Sequence, residues 1–113
     1  EITVCAPTRV SELKNGLIRT YEISPEHFFG NLVDSKELLG GNSKENAKIT
    51  RNILNGEKGP KRNVVLINSA AALVAAEQVE TFQEGIRMAE VSIDTGAATE
   101  KMEALIRYTQ ENG

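Results

Sequence analysis

Two patterns divide the chain. Residues 2–23 read as extended, folded about Asn15-Gly16, while from residue 42 onward apolar positions recur at helical spacing. Asn-Gly is the strongest short hairpin signal, because a two-residue type I′ turn needs positive φ at both positions. That turn sets the register: Leu13 opposite Ile18, Glu12 opposite Arg19, Val10 opposite Tyr21 and Arg9 opposite Glu22. Both charged pairs then match in sign, and Val10–Tyr21 joins a β-branched to an aromatic side chain. A slip of one residue sets Glu12 against Thr20 and loses the agreement. The pattern predicts a β-hairpin over residues 2–23. A hairpin is marginal alone, so it must pack on helices or find sheet partners outside these residues.

The helices follow from stripes and caps. Ser24-Pro25 predicts a short capped turn over 25–29, and residues 31–41 read as connecting chain with one turn at 35–38. Asn42 with Glu45 three residues on forms a capping box for a helix over 43–55, with Ile49, Ile53 and Leu54 on its apolar stripe. Gly59-Pro60 starts a largely buried helix over 60–77, against the weak helix preference of Val64-Val65. Thr81 and Glu84 make a second box for a helix over 82–95, with Phe82, Ile86, Ala89 and Ile93 facing inward. After Gly96, a helix over 97–111 carries Ala98, Met102, Leu105 and Thr109 on one face, read as core. Glu103 and Arg107 are placed to pair outside.

Composition narrows the class. The chain has 113 residues, 40% hydrophobic and 26% charged, which is one ordinary domain in length. Its longest apolar run, "SAAALVAA", is too short to span a bilayer, and a net charge of -3 argues against a nucleic-acid surface. Neither membrane nor nucleic acid is an expected partner. The single cysteine, Cys5, excludes an internal disulfide, suits a reducing cytoplasm, and reads as a small packed side chain in a strand.

The catalytic inventory is thin. His27 is the only histidine, and no carboxylate is placed beside it by spacing, so it reads as a solvated or edge-packed imidazole. Ser69 in "INSAAAL" lacks a nucleophile elbow and suits helix–helix packing. There is no metal-binding cluster of histidine or cysteine. "LLGGNSKENAKITRNILNG" places Gly40-Gly41 before a helix, where a phosphate cradle is conceivable. The P-loop spacing is missing, Asn42 and Glu45 already serve the first N–H groups, and Glu45 repels anions. The glycines read as turn punctuation.

Taken together, "EITVCAPTRVSELKNG", "ISPEHFFG", "LLGGNSKENAKITRNILNGEKGP", "VVLINSAAALVAA" and "EGIRMAEVSIDTGAA" resemble the C-terminal part of the anthranilate phosphoribosyltransferase family. The resemblance runs through nearly all 113 residues. Its specificity lies in the order and spacing of Gly40-Gly41, Glu45-Asn46-Ala47, Gly56, Gly59-Pro60, Asn68, Glu84-Gly85 and Gly96. It departs at Ala6, where glycine is common, at the second Phe of "HFFG", and at Asn42-Ser43, where an acidic residue often follows the glycines.

The resemblance implies a magnesium-dependent glycosyltransferase of tryptophan biosynthesis. The amine of anthranilate attacks C1 of phosphoribosyl pyrophosphate (PRPP), giving N-(5-phosphoribosyl)anthranilate and pyrophosphate. The implied intact protein is α/β, with a small helical domain and a larger α/β domain, and forms a homodimer. Residues 1–113 correspond to the C-terminal part of the larger domain, and neither the helical domain nor the substrate loops are among them. The family's Gly-Thr-Gly-Gly-Asp diphosphate loop is not in this sequence, so no catalytic or substrate-binding residue is assigned. One family motif reaches the chain: an adjacent Asp-Glu pair binds Mg2+, and Glu1 matches its second member. The start at Glu1 rather than Met, with the unpartnered hairpin, predicts a piece of a longer protein; because it lacks the family's diphosphate loop and acceptor contacts, the resemblance implies that the piece is inactive by itself. Competing readings are a non-catalytic relative of the same fold that binds nucleic acid, a helical interaction module docking through the hairpin edge, and a nucleoside phosphorylase of related fold.

Overall fold

A computed structural model describes residues 1–113. The chain is a two-stranded antiparallel hairpin followed by five helices: β1 (Thr8–Lys14), β2 (Leu17–Ile23), α1 (Glu26–Phe29), α2 (Ser43–Leu54), α3 (Pro60–Ala75), α4 (Phe82–Asp94) and α5 (Ala97–Asn112). A 3-10 turn over Ser35–Leu38 lies between α1 and α2, where the sequence predicts one turn.

The hairpin has the expected register, with Leu13 opposite Ile18, Glu12 opposite Arg19, Val10 opposite Tyr21 and Arg9 opposite Glu22. Asn15 and Gly16 both take positive φ, 53° and 78°, as the type I′ turn demands. Glu12 collects two donors across the strands, Arg19 at 3.2 Å and the Tyr21 hydroxyl at 3.1 Å. The Arg19 guanidinium also lies 4.9 Å from the centre of the Tyr21 ring. Burial, and then the Glu12 carboxylate, push the Tyr21 hydroxyl above its ordinary pKa.

The strand is shorter than predicted. Residues 2–7 are irregular, because their backbone finds partners other than a ladder: a side chain of α3 at Ile2, and the Val33 N–H on the Val4 carbonyl at 3.2 Å. Ile2 and Val4 are nonetheless buried. Cys5 therefore sits outside any strand, half-buried, as a free thiol.

Caps and stops define the helices. The Asn42–Glu45 box is complete, with Glu45 N–H donating to Asn42 Oδ1 at 2.9 Å and Asn42 N–H to Glu45 Oε2 at 2.8 Å. The second box is half-formed. Glu84 N–H donates to Thr81 Oγ1 at 3.1 Å, but the Glu84 carboxylate accepts from Glu80 N–H, one residue upstream of the capping position. The Ser24 cap is also absent: α1 begins after Pro25, and Ser24 contributes only its carbonyl, to His27 N–H. Helix α3 stops two residues short of prediction. Glu77 takes φ 56°, and the N–H groups of Glu77 and Gln78 close back on the carbonyls of Val74 and Leu73, a Schellman stop built on a non-glycine residue.

Helix α3 is shared by two apolar clusters. On one side Leu66 and Ala70 pack with Ile53 of α2 and Ile86, Ala89 and Ile93 of α4. On the other, Ile67 packs with Ile2, Val4 and Ile23. Phe28, Phe29 and Phe82 touch both clusters, and the rings of Phe28 and Phe82 are tilted at 55° with centres 6.3 Å apart. Burying these positions overrides the weak helix preference of Val64-Val65. The root of the hairpin joins the second cluster through Val10 and Tyr21, whereas its tip, Leu13, Leu17 and Ile18, is exposed.

Helix α5 departs most from expectation. It buries no residue, and Leu105 is 62% exposed. Only its start is held, by Ala98 against the first cluster and by Thr99 Oγ1 donating to the Leu54 carbonyl. Glu103 pairs with Arg51 of α2 at 2.9 Å rather than with Arg107. The far part of its stripe, Leu105 and Thr109, is exposed, whereas Ala98 and Met102 nearer its start are partly covered.

Candidate functional site

A cleft of about 390 Å³ opens where the N-terminal segment, the turn before α2 and the start of α3 meet; Glu1, Gly40, Asn46, Thr50 and Lys61 line it. Each wall has a local cause. The Gly40-Gly41 turn is fastened from α2, where the Asn46 side chain accepts from Gly41 N–H at 2.8 Å and donates to the Gly41 carbonyl at 3.0 Å. A Cβ on Gly40 would run into the Asn46 carboxamide, and one on Gly41 into the Glu45 carboxylate. Neither glycine takes positive φ. They serve by making room for two inward-folded side chains, which refines the expectation of turn punctuation and leaves no phosphate cradle at this helix start.

The opposite wall is fastened from α3 in the same way. Ile2 N–H donates to Asn68 Oδ1 at 2.9 Å, and Asn68 Nδ2 donates to the Ile2 carbonyl at 2.8 Å and to the Val64 carbonyl at 2.9 Å. This carboxamide holds both backbone polar groups of the residue next to Glu1. Nothing in the spacing of the motifs marks Asn46 or Asn68 as chemistry. A single carboxamide inside the apolar run "VVLINSAAALVAA" was the available signal, since a polar group in such a run must find partners.

Glu1 is exposed on the rim of this cleft. No group of three or more His, Cys, Asp or Glu side chains is placed to hold a metal ion. Magnesium takes one or two carboxylates and completes its six oxygens with water and substrate phosphates. One carboxylate on the rim of an open cleft, which Leu38, Ile49, Val64 and Lys61 also line, fits a contribution to such a site and does not constitute the site. The other residues weighed from the sequence lie elsewhere. His27 is exposed on α1, as expected of a solvated imidazole. Ser69 lines an apolar groove between α3 and α4 with Ala72, Ala76 and Ala89, in keeping with packing by small residues.

One buried charge escaped the sequence reading. Arg62, 2% exposed, makes two hydrogen bonds to Asp94 at 2.9 and 3.1 Å, tying the first turn of α3 to the last residue of α4. Each charge sits at the unfavourable end of its helix dipole, which is a legible hint that its partner is tertiary. The Arg62 hydrogen bond, reinforced by the charges of Arg62 and Lys58, holds the Asp94 carboxyl below its ordinary pKa. Every buried side-chain nitrogen and oxygen has a partner.

Against this geometry, comparison with known proteins is direct. Residues 1–99 match the glycosyl transferase family, a/b domain, and the chain belongs to that family. Within it, the chain is similar to several proteins named anthranilate phosphoribosyltransferase. It is 57% identical over 112 residues to an anthranilate phosphoribosyltransferase of Syntrophobacter fumaroxidans, covering 99% of this chain and 33% of that one. It is 54% identical over 114 residues to the anthranilate phosphoribosyltransferase of Desulfosudis oleivorans, covering 100% and 34%. The crystal structure of anthranilate phosphoribosyltransferase from Thermus thermophilus superposes with a TM-score of 0.84 at 28% identity, over 97% of this chain and 32% of that one. The chain spans about a third of the length of the curated relatives it matches.

Proposed function

We propose that this chain is the C-terminal part of an enzyme that transfers the phosphoribosyl group of PRPP to the amine of anthranilate, in tryptophan biosynthesis. The observation that carries the reading is the similarity over essentially the whole chain, at 57% and 54% identity, to two anthranilate phosphoribosyltransferases. In the reaction the anthranilate nitrogen forms a bond to C1 of the ribose as the bond from C1 to pyrophosphate breaks, and the amine gives up a proton. Charge gathers on the departing pyrophosphate, so a divalent cation bound there lowers the barrier. Glu1 is proposed as one carboxylate ligand of that magnesium, with the remaining ligands from outside these residues. Residues 2–113 hold Glu1 in place and supply scaffold rather than acceptor or diphosphate contacts. A homodimeric enzyme of the cytoplasm goes with the same reading.

The test is an assay of the intact polypeptide with PRPP, anthranilate and magnesium, following loss of anthranilate fluorescence. Wild type is expected to form N-(5-phosphoribosyl)anthranilate. Glu1→Gln is expected to lower turnover and raise the magnesium concentration needed for half the maximal rate. The 113-residue chain alone is expected to form no product. Absence of product from the intact protein, together with salt-dependent retention of DNA, would instead favour a non-catalytic nucleic-acid-binding relative.

A further inference from the structure

We propose that Asn68 is a positioning residue for Glu1, fixing the peptide that carries it so that the side chain departs from a set point on the rim of the cleft. The inference rests on the magnesium role proposed for Glu1 and adds the group that makes that role possible.

An exposed glutamate on an irregular segment has three side-chain rotors and a backbone free to swing, so left alone it presents a carboxylate to no fixed point. Here the backbone is not free. The Asn68 carboxamide engages both the N–H and the carbonyl of Ile2, at 2.9 and 2.8 Å, and its second amide hydrogen reaches the Val64 carbonyl at 2.9 Å. All three bonds are short and complementary, so the plane of the carboxamide fixes the Ile2 backbone as a strand neighbour would. The Ile2 side chain below is buried against Ile67, the residue before Asn68. One turn of α3 thus grips Ile2 by backbone and side chain together, and the peptide joining Glu1 to Ile2 inherits the rigidity of the helix.

The consequence is specific. Groups that orient a metal ligand change metal affinity by about 10- to 100-fold when they are removed, without touching substrate. Loss of Asn68 should therefore act through the magnesium dependence and leave the acceptor side alone.

The experiment uses the intact enzyme with Asn68→Ala, which removes all three bonds, and Asn68→Asp, which keeps the shape and the acceptor for Ile2 N–H but puts one oxygen in place of the amide nitrogen that made both donor bonds, so that it repels the Ile2 and Val64 carbonyls. Magnesium is titrated twice: by rate, and by calorimetry as the magnesium-dependent part of PRPP binding, which needs no turnover. Both variants are expected to raise the magnesium midpoint by about tenfold or more in each measurement, with KM for anthranilate unchanged. In a Glu1→Gln background the same substitutions are expected to move the midpoint no further. If Asn68→Ala yields no folded protein, Asn68→Asp and its Glu1→Gln double variant carry the test.

The proposal is overturned if Glu1→Gln shifts the midpoint and the Asn68 variants do not, or if their shift is the same size with and without the Glu1 carboxylate. An unchanged midpoint for Glu1→Gln itself instead refutes the magnesium role of Glu1, and the positioning role with it.

Discussion

A close approach of α4 to α3 gives the sharpest prediction. Gly85 of α4 is buried against Ala70 of α3, and a Cβ placed on it would lie 2.7 Å from Ala70 Cα, 2.8 Å from its Cβ and 3.1 Å from its carbonyl oxygen. Two effects of opposite sign meet in Gly85→Ala. Alanine is the better helix former by about 1 kcal/mol. Against that, the new methyl meets backbone atoms, which cannot rotate away, and contacts near 2.7 Å must open by about 1 Å to reach an ordinary separation. Parting α3 from α4 disturbs Leu66, Ala70, Ile86 and Ala89 in one cluster, and overpacking of that kind costs about 1–3 kcal/mol, occasionally more. The packing cost takes the larger value because the obstructing atoms are main chain. We expect a net loss of about 1–2 kcal/mol, lowering Tm by roughly 4–10 °C for a protein of this size. Thermal unfolding followed by far-UV circular dichroism measures it. A Tm equal to or above that of wild type would mean that the helices yield freely at Ala70, and the account of this interface would be wrong.

Two further predictions concern the ends of α3. Glu77→Gly should raise Tm, by the equivalent of about 0.5–1 kcal/mol, because the left-handed φ of 56° strains a residue bearing a Cβ by more than glycine loses in chain entropy; a lower Tm refutes it. Asp94, held below its ordinary pKa chiefly by the Arg62 hydrogen bond, contributes stability that is complete above the ordinary carboxylate pKa and disappears as pH falls through the folded value. The Tm difference between wild type and Asp94→Asn should accordingly be largest near neutral pH and shrink below pH of about 4, and a difference independent of pH down to about 2 would contradict it.

What was legible in the sequence was whatever is decided within a few residues. Asn15-Gly16 set the hairpin register and Asn42 with Glu45 set the start of α2, because both are local hydrogen-bond problems with one good answer. The failures share a cause as well. Thr81–Glu84 has the same letters as a box, yet the Glu84 carboxylate reaches Glu80 N–H, a choice of rotamer that spacing cannot express. Periodicity gave α5 its length but not its surroundings, since a stripe such as Ala98, Met102 and Leu105 says which residues share a face and nothing of what that face meets. At Glu77 the absence of glycine hid a helix stop. The Arg62–Asp94 pair spans 32 residues, and only a clash of each charge with its own helix dipole marked it.

The candidate site was half legible for the same reason. Resemblance singled out Glu1, while the two residues that shape its cleft are carboxamides inside helices, each bonded to both polar groups of one backbone residue: Asn46 to Gly41, five residues back, and Asn68 to Ile2, 66 residues back. A carboxamide carries the donor and acceptor of a peptide in one plane, so it can substitute for a neighbouring strand where none is available. That substitution lets irregular chain at Ile2 and Gly41 be as fixed as a sheet while remaining open toward the cleft. It also explains why the glycines before α2 are required although their φ angles are ordinary. The space beside Gly40 and Gly41 belongs to Asn46 and Glu45, and a side chain at either position would break the clamp or the cap before it reached any ligand.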